Sequence, residues 1–311
     1  MLRYMATEEF IQALKLGQKE YKEASAAGKQ LHPLVLDELL SDDIAESVID
    51  VGLVDIPAER IVGVKSSGRV TAFSATFRPL LDLKTEFGAK WVSLCEAHLG
   101  ETGITDPIQC YEYLGNFYVQ EGNKRVSVLR SFDAVRIPGN VHRILPPVSD
   151  DPEVVAYYEF LDFYKASGIY QIQFRHPGSY DALLAFLGKT RQDPWTDREK
   201  RTFSAYYNYF QDAFYSLGSR FADLPAEEAL LVWLKVYPFR DLGDKTAEEI
   251  KQALSALWSD LVSVDIRTVA GPKVSQGPNS FVIPAKGRMV SGDACIVHFQ
   301  IAALGAADNI L

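Results

Sequence analysis

The short run QEGNKRVSVL, residues 120–129, contains the residue types that proteins use to bind phosphate. Gly122 lies where an aromatic, strand-like stretch gives way to a helical pattern, and Asn123, Lys124 and Arg125 follow it. Backbone N–H groups at the start of a helix lack intrahelical partners and carry partial positive charge, so they attract anions. Lysine adds a mobile charge, and arginine adds a planar fork of donors that matches phosphate oxygens. Taken alone, these residues predict either a phosphate-binding turn or a plain turn between a strand and a helix.

The elements predicted around this turn form a mixed α/β unit. Two strands joined by a Leu-Gly-Asn turn precede it at 107–121, and a helix follows from Asn123 to about Phe132. A strand with a proline turn is predicted at 51–63, a helix at 86–100 and a further strand at 134–145. These elements predict an α+β fold.

Three parts of the chain are predicted from these patterns. An N-terminal helical segment covers 1–45, with a helix that begins at an N-cap, Thr7, and ends near residue 25. The mixed α/β domain covers 46–148 and ends at a linker rich in Pro and Asp. A mainly helical domain covers 149–311, with one short strand at 169–174 and an irregular tail past 265.

Five motifs occur in the order typical of one superfamily. They are IPAERI at 56–61, SSGRVTAFSATFRP at 66–79, GITDPIQC at 103–110, QEGNKRVSVL at 120–129 and AVRIPGNV at 134–141. In this order they resemble the ParB/sulfiredoxin-like superfamily, which includes the ParB N-terminal domain. The resemblance spans about residues 50–148, roughly a third of the chain, and implies a ParB/sulfiredoxin-like domain there.

The resemblance also implies a nucleotide site. The four residues from Gly122 to Arg125 would hold the phosphates of a nucleoside triphosphate, CTP or ATP, together with Mg²⁺. The earlier loop would supply an arginine, either Arg69 or Arg78. Glu121 matches the acidic residue that some relatives use in catalysis.

Departures from the superfamily exclude some of its functions. Position 123 is asparagine where sulfiredoxin has a cysteine, so peroxiredoxin repair is not expected. The best helix-turn-helix candidate after residue 150 has about ten residues between its helices, where three or four are typical. Partition-type sliding on DNA is therefore not expected.

Charge favours a small ligand over a long polyanion. The formal net charge is −9, which opposes binding of DNA by global charge. Residues 121–143 nevertheless contain five basic residues against two acidic ones. DNA remains an alternative partner, and a single phosphate-bearing molecule suits this local excess better.

Other residue patterns predict ordinary structural roles. The five histidines are scattered, which predicts no zinc site. The aromatic run from Phe203 to Phe214 has helical spacing and predicts a buried stripe, and Ser127 is expected to be a small surface residue.

Three widely separated cysteines predict reduced thiols and a cytoplasmic protein. Charges near the N-terminus and the lack of a long apolar run predict no signal peptide and no membrane span.

Four functions stay open from the sequence. The leading hypothesis is a ParB-like nucleotide- or phosphate-binding regulatory module, with a protein partner that contacts the helical domain. The second is an Mg²⁺-dependent phosphotransfer or nucleotide-hydrolysing enzyme with Glu121 as base. The third is a DNA-binding regulator of ParB descent, and the fourth is a protein-interaction scaffold whose phosphate site has decayed.

Overall fold

The structure is a computed structural model that describes residues 1–40, 48–101, 103–218 and 224–257. The chain divides into two compact units, Met1–Pro147 and Val148–Leu311. The tail expected past residue 265 lies outside the described residues. Within the described part, no helix is both long enough and apolar enough to cross a membrane.

The described part of the first unit contains one mixed six-stranded sheet. Its strands are β1 (Leu34–Val35), β2 (Val48–Pro57), β3 (Ile61–Val64), β4 (Ile108–Tyr113), β5 (Asn116–Glu121) and β6 (Arg136–Ile144). Their order across the sheet is β1-β3-β5-β4-β6-β2. The pairs β4/β5 and β2/β6 are antiparallel, and the other neighbours are parallel. The predicted combination of helices with a sheet is confirmed.

The first unit also contains helices. They are α1 (Leu2–Ala26), α2 (Leu36–Leu39), α3 (Glu86–Leu99) and α4 (Asn123–Ser131), with 3₁₀ segments at Ala58–Arg60 and Ser67–Ala72. Helix α1 begins at Leu2, so the predicted N-cap at Thr7 is wrong. The Thr7 hydroxyl instead donates to the Arg3 carbonyl at 2.8 Å, one turn back along the helix.

A buried aromatic contact joins α1 to α3, and a hydrogen bond joins α3 to α4. The rings of Phe10 and Trp91 meet edge to face with centroids 5.2 Å apart. The Trp91 indole N–H donates to the Ser127 hydroxyl at 2.8 Å. Ser127 is only 1% exposed, so the expectation of a surface residue is wrong. Its hydroxyl satisfies an indole donor that burial would otherwise leave unpaired.

The described part of the second unit is helical. Its helices are α5 (Pro152–Ser167), α6 (Ser179–Phe186), α7 (Asp197–Tyr215), α8 (Ala226–Leu234), α9 (Asp241–Asp244) and α10 (Ala247–Ala256). The aromatic stripe of α7 is buried as predicted, and all nine residues of α8 are buried. The strand expected at 169–174 is absent: those residues are buried but irregular. Burial in a helical unit can produce an apolar run that looks like a strand in the sequence.

Candidate anion-binding site

The turn at Gly122 connects β5 directly to α4. Gly122 has φ 106° and ψ 14°, a left-handed conformation that favours glycine. A Cβ atom at this position would lie 2.7 Å from Cγ2 of Ile108, which is closer than real contacts allow. The fold therefore requires glycine here for both conformation and space, whether or not a ligand binds.

Helix α4 begins immediately after this glycine. Its first intrahelical bond runs from the Val126 N–H to the Gly122 carbonyl at 3.0 Å. The N–H groups of Asn123, Lys124 and Arg125 precede that bond and belong to the positive end of the helix dipole. The turn thus has the backbone geometry of a helix start at which an anion is favoured.

The Arg125 guanidinium contacts protein acceptors. It donates to the carbonyls of Asp106 and Pro107 at 2.9 and 2.8 Å, and also to the Glu121 carboxylate. Its side chain is only 13% exposed, whereas that of Glu121 is 66% exposed. Arg125 therefore ties the loop before β4 to the end of β5 and to α4. The structure brings Glu121 and Arg125 together as an ion pair.

Lys124 reaches from α4 to the first turn of α3. Its ammonium lies 5.3 Å from the centre of the Phe87 ring, within range of a cation–π contact. Burial, followed by the positive charges of Arg69 and Lys90, lowers the pKa of Lys124. Glu86 and Glu121 act in the opposite direction. Lys124 is therefore half-buried in a region of positive potential.

Arg69 is the arginine of the 66–79 loop whose charge acts on Lys124. It lies in the Ser67–Ala72 segment, is exposed, and departs there from helical geometry with φ −141°. The segment is followed by Phe73, whose ring meets that of Phe87 edge to face at 5.2 Å. Among the described residues, neither Arg69 nor Lys124 forms an ion pair with a carboxylate.

Arg78, the other candidate from that loop, belongs to a different cluster. Its Nε atom lies 3.9 Å from the Glu20 carboxylate on α1. Its charge acts on Arg130, in the last turn of α4. Arg130 and Lys124 are six positions apart, which is about 9 Å along a helix at 1.5 Å per residue. The structure thus groups Arg69, and not Arg78, with the start of α4.

Arg130 contacts backbone carbonyls and an aromatic ring, which gives it a structural role. It donates to the carbonyls of Thr76, Ala58 and Ile61, and its guanidinium lies 5.3 Å from the centre of the Phe77 ring. Burial lowers the pKa of Arg130 to about 10, so it keeps its charge at neutral pH. These contacts join the strand junction at Ala58–Arg60 to the 66–79 loop.

Two residues that were not predicted complete the cluster at α3. The Lys90 ammonium lies 2.6 Å from the Glu86 carboxylate, one helical turn away. A hydrogen bond and the charge of Lys90 lower the pKa of Glu86, and the charges of Arg69 and Lys124 lower it further. The spacing of four residues at a helix start is a sequence signal for this pair. That signal does not reveal the cations contributed by the loop and by α4.

Asn123 presents an unsatisfied acceptor at the start of α4. Its Oδ1 atom is buried and has no hydrogen-bond partner among the residues that the structure describes. A buried acceptor without a donor costs free energy, so a donor from a ligand would be favourable here.

Burial disfavours thiol chemistry at Cys95 on α3 and at Cys110 on β4. Cys95 and Cys110 are free and buried. Burial raises the pKa of Cys95 to about 11 and that of Cys110 to about 12, with smaller contributions from nearby carboxylates. Both are therefore protonated and unreactive at neutral pH. Within the described ranges, no group of three or more His, Cys, Asp or Glu residues is arranged to hold a metal ion.

Comparison with protein-family models gives no match, and a search of curated proteins gives none either. The superfamily resemblance therefore rests on the five motifs of the sequence.

Proposed function

We propose that the first unit binds a phosphate-bearing small molecule, a nucleoside triphosphate such as CTP or ATP, and acts as a ligand-responsive regulatory module. The observation that carries this proposal is that Phe73, next to the Ser67–Ala72 segment, and Lys124, at the start of α4, both contact the Phe87 ring, which brings Arg69 and Lys124 close enough for their charges to interact. Two cations that form no ion pair with a carboxylate in the described part of the chain, next to the positive end of a helix, favour an anion.

The residues of the turn, together with Arg69, have distinct roles in ligand binding. Lys124, Arg69 and the first N–H groups of α4 contact phosphate oxygens, and Gly122 lets the backbone approach them. The buried Oδ1 of Asn123 accepts a hydrogen bond from a ligand hydroxyl or amine. Arg125 donates hydrogen bonds to the carbonyls at 106 and 107 and so fixes this loop next to the site.

The five motifs that resemble the ParB/sulfiredoxin-like superfamily support a nucleotide as the ligand. The Gly122–Arg125 box matches the phosphate-binding box of that superfamily in position. Magnesium would be held mainly by the phosphates of the ligand, since Glu121 is the exposed carboxylate at the turn and is already paired with Arg125. Bound Mg²⁺ would neutralise part of the phosphate charge.

The contacts of Glu121 favour a binding module over an enzyme. A catalytic base needs a carboxylate that is free to accept a proton, and Arg125 neutralises this one. The net charge of −9 favours a small anion over duplex DNA. The free thiols of Cys95 and Cys110 are consistent with the proposed cytoplasmic location. A protein partner of the helical unit would distinguish the ligand-bound protein from the ligand-free protein.

The test is a thermal-shift panel on the full chain with CTP, ATP, GTP, ADP and inorganic phosphate, with and without Mg²⁺. A ligand at 100 times its Kd adds about 2.7 kcal/mol to the free energy of unfolding, which raises the melting temperature measurably. We expect one nucleotide to give this shift with wild type and with Arg78→Ala. Lys124→Ala and Arg69→Ala should abolish it.

Arg78→Ala is the matched control because it removes an arginine of the same loop that lies away from α4. No shift with any ligand would overturn the proposal. If Arg78→Ala lost the ligand-induced shift in melting temperature to the same extent, the shift would not depend on the cations at the start of α4.

A further inference from the structure

The start of α3 contains a carboxylate that its own helix does not need as a cap. The N-cap of α3 is Thr85, whose hydroxyl accepts a hydrogen bond from the Gly88 N–H at 3.1 Å. The Glu86 carboxylate is exposed and contacts the Lys90 ammonium at 2.6 Å. This carboxylate therefore pairs with a cation on the next turn, while Thr85 serves as the cap.

Those neighbours come from three different elements. Lys90 lies on α3, Lys124 lies on α4 and Arg69 lies in the Ser67–Ala72 segment. All three lower the pKa of Glu86. An isolated i,i+4 pair balances one cation with one carboxylate. Here Lys90 pairs with Glu86 directly. The Lys124 ammonium lies 5.3 Å from the ring of Phe87, the next residue on α3, so the charges of Lys124 and Arg69 leave an excess of positive charge at the site.

We infer that Glu86 is the resident counter-ion of the anion site and that Lys90 is its third cation, so that the site selects anions by charge. This inference rests on the proposed function. A polyphosphate with several charges displaces the Glu86 carboxylate and contacts Lys90 in its place. A small anion of low charge competes poorly with a carboxylate that is tethered to the site. The ligand class is therefore a di- or triphosphate group rather than a monophosphate.

Displacement of the Glu86 carboxylate from Lys90 requires little disruption of the fold. The side chains of Lys90 and Glu86 are 60% and 78% exposed, so both can rotate without unpacking the core. Exposed pairs of this kind contribute little to stability. Thr85 continues to cap α3 when Glu86 moves.

The test uses inorganic phosphate, pyrophosphate and tripolyphosphate as probes, because these differ in charge and carry no base. Their dissociation constants are measured by calorimetric titration of the full chain at low salt, in wild type, Glu86→Gln and Lys90→Gln. Glu96→Gln is the matched control, because Glu96 lies on the same helix and pairs with Arg3 instead. Lys124→Ala reports on the site itself.

We expect tripolyphosphate to bind wild type most tightly and phosphate most weakly. Glu86→Gln should tighten tripolyphosphate binding about fivefold, as removal of one partly screened charge near a polyanion predicts. Lys90→Gln should weaken it by a similar factor and make the dissociation constant less dependent on salt. Glu96→Gln should leave both quantities unchanged.

Two outcomes separate this inference from the proposed function. Binding that is lost in Lys124→Ala but unchanged or weakened in Glu86→Gln would overturn the counter-ion role and leave the site intact. Failure of wild type to bind any of the three anions would overturn this inference, and the proposed function would fall with it only if the nucleotides of the thermal-shift panel also gave no shift. An equal affinity of wild type for phosphate and tripolyphosphate would overturn the selection by charge.

Discussion

The ammonium of Lys124 lies 5.3 Å from the centre of the Phe87 ring, so that the first turn of α4 contacts the first turn of α3. Through this contact, two helix starts and their charged residues meet at one place. It is the relationship that places Lys124 among the charges of Glu86, Lys90 and Arg69.

Removal of the Phe87 ring should weaken anion binding. Phe87→Leu keeps an apolar side chain but loses the cation–π contact, which is worth about 0.5–1 kcal/mol at exposed sites. We expect the dissociation constant for tripolyphosphate to rise about two- to fivefold by titration. Phe77→Leu is the control, because that ring contacts Arg130 instead. It should lower stability without changing affinity, and an equal effect of both variants on affinity would contradict the role of Phe87.

Arg125 should contribute more to stability than to ligand contact. Arg125→Ala removes charge-assisted hydrogen bonds to the Asp106 and Pro107 carbonyls, which predicts a loss of about 2–3 kcal/mol in the free energy of unfolding. Urea unfolding measures this loss. A variant of wild-type stability that no longer binds tripolyphosphate would instead identify Arg125 as a ligand contact.

Gly122 should tolerate no side chain. Gly122→Ala combines left-handed strain with a collision against Ile108, and we expect a loss of about 2–4 kcal/mol in unfolding experiments. Gly103→Ala is the matched control, with φ 65° and, its chain neighbours aside, no atom of the described residues within 4 Å of the added Cβ. It should lose only about 1 kcal/mol, from strain alone. Equal losses in the two variants would contradict the importance of the close contact.

Affinity should fall at alkaline pH because of Lys124. Its pKa lies below the ordinary lysine value, since burial and neighbouring cations disfavour the charged form. The charged form binds phosphate, so affinity is complete below the folded pKa and is lost as pH rises through it. Titrations from pH 7 to 10 measure the decline. Lys124→Arg should shift the decline to higher pH, and an unchanged profile would show that another group titrates.

Local signals in the sequence predicted local structure well. The glycine turn and the helix after it are set by neighbouring residues, and so is the capping box of Thr196 and Glu199 at the start of α7. The predicted turn and the helix after it are confirmed. The prediction of an N-cap at Thr7 was wrong because the helical pattern continues towards residue 2, where Met1 occupies the cap position.

The charge cluster depends on contacts that are distant in sequence. Arg69 and Arg78 are equally suitable by residue type, and only the packing of their loop separates them. The acceptors of Arg125 lie 18 and 19 positions before it, at the entry to β4. No local pattern shows that this guanidinium is already satisfied by the protein.

The measurement that tests the central claim most directly is a nitrogen–proton NMR titration of the full chain with ATP and CTP in the presence of Mg²⁺. Amide shifts report where the ligand contacts the backbone. The account predicts saturable shifts that are largest at Asn123 and Lys124 and within the Ser67–Ala72 segment, and that disappear in Lys124→Ala. Shifts confined to other parts of the chain, or no shifts at millimolar ligand, would contradict it.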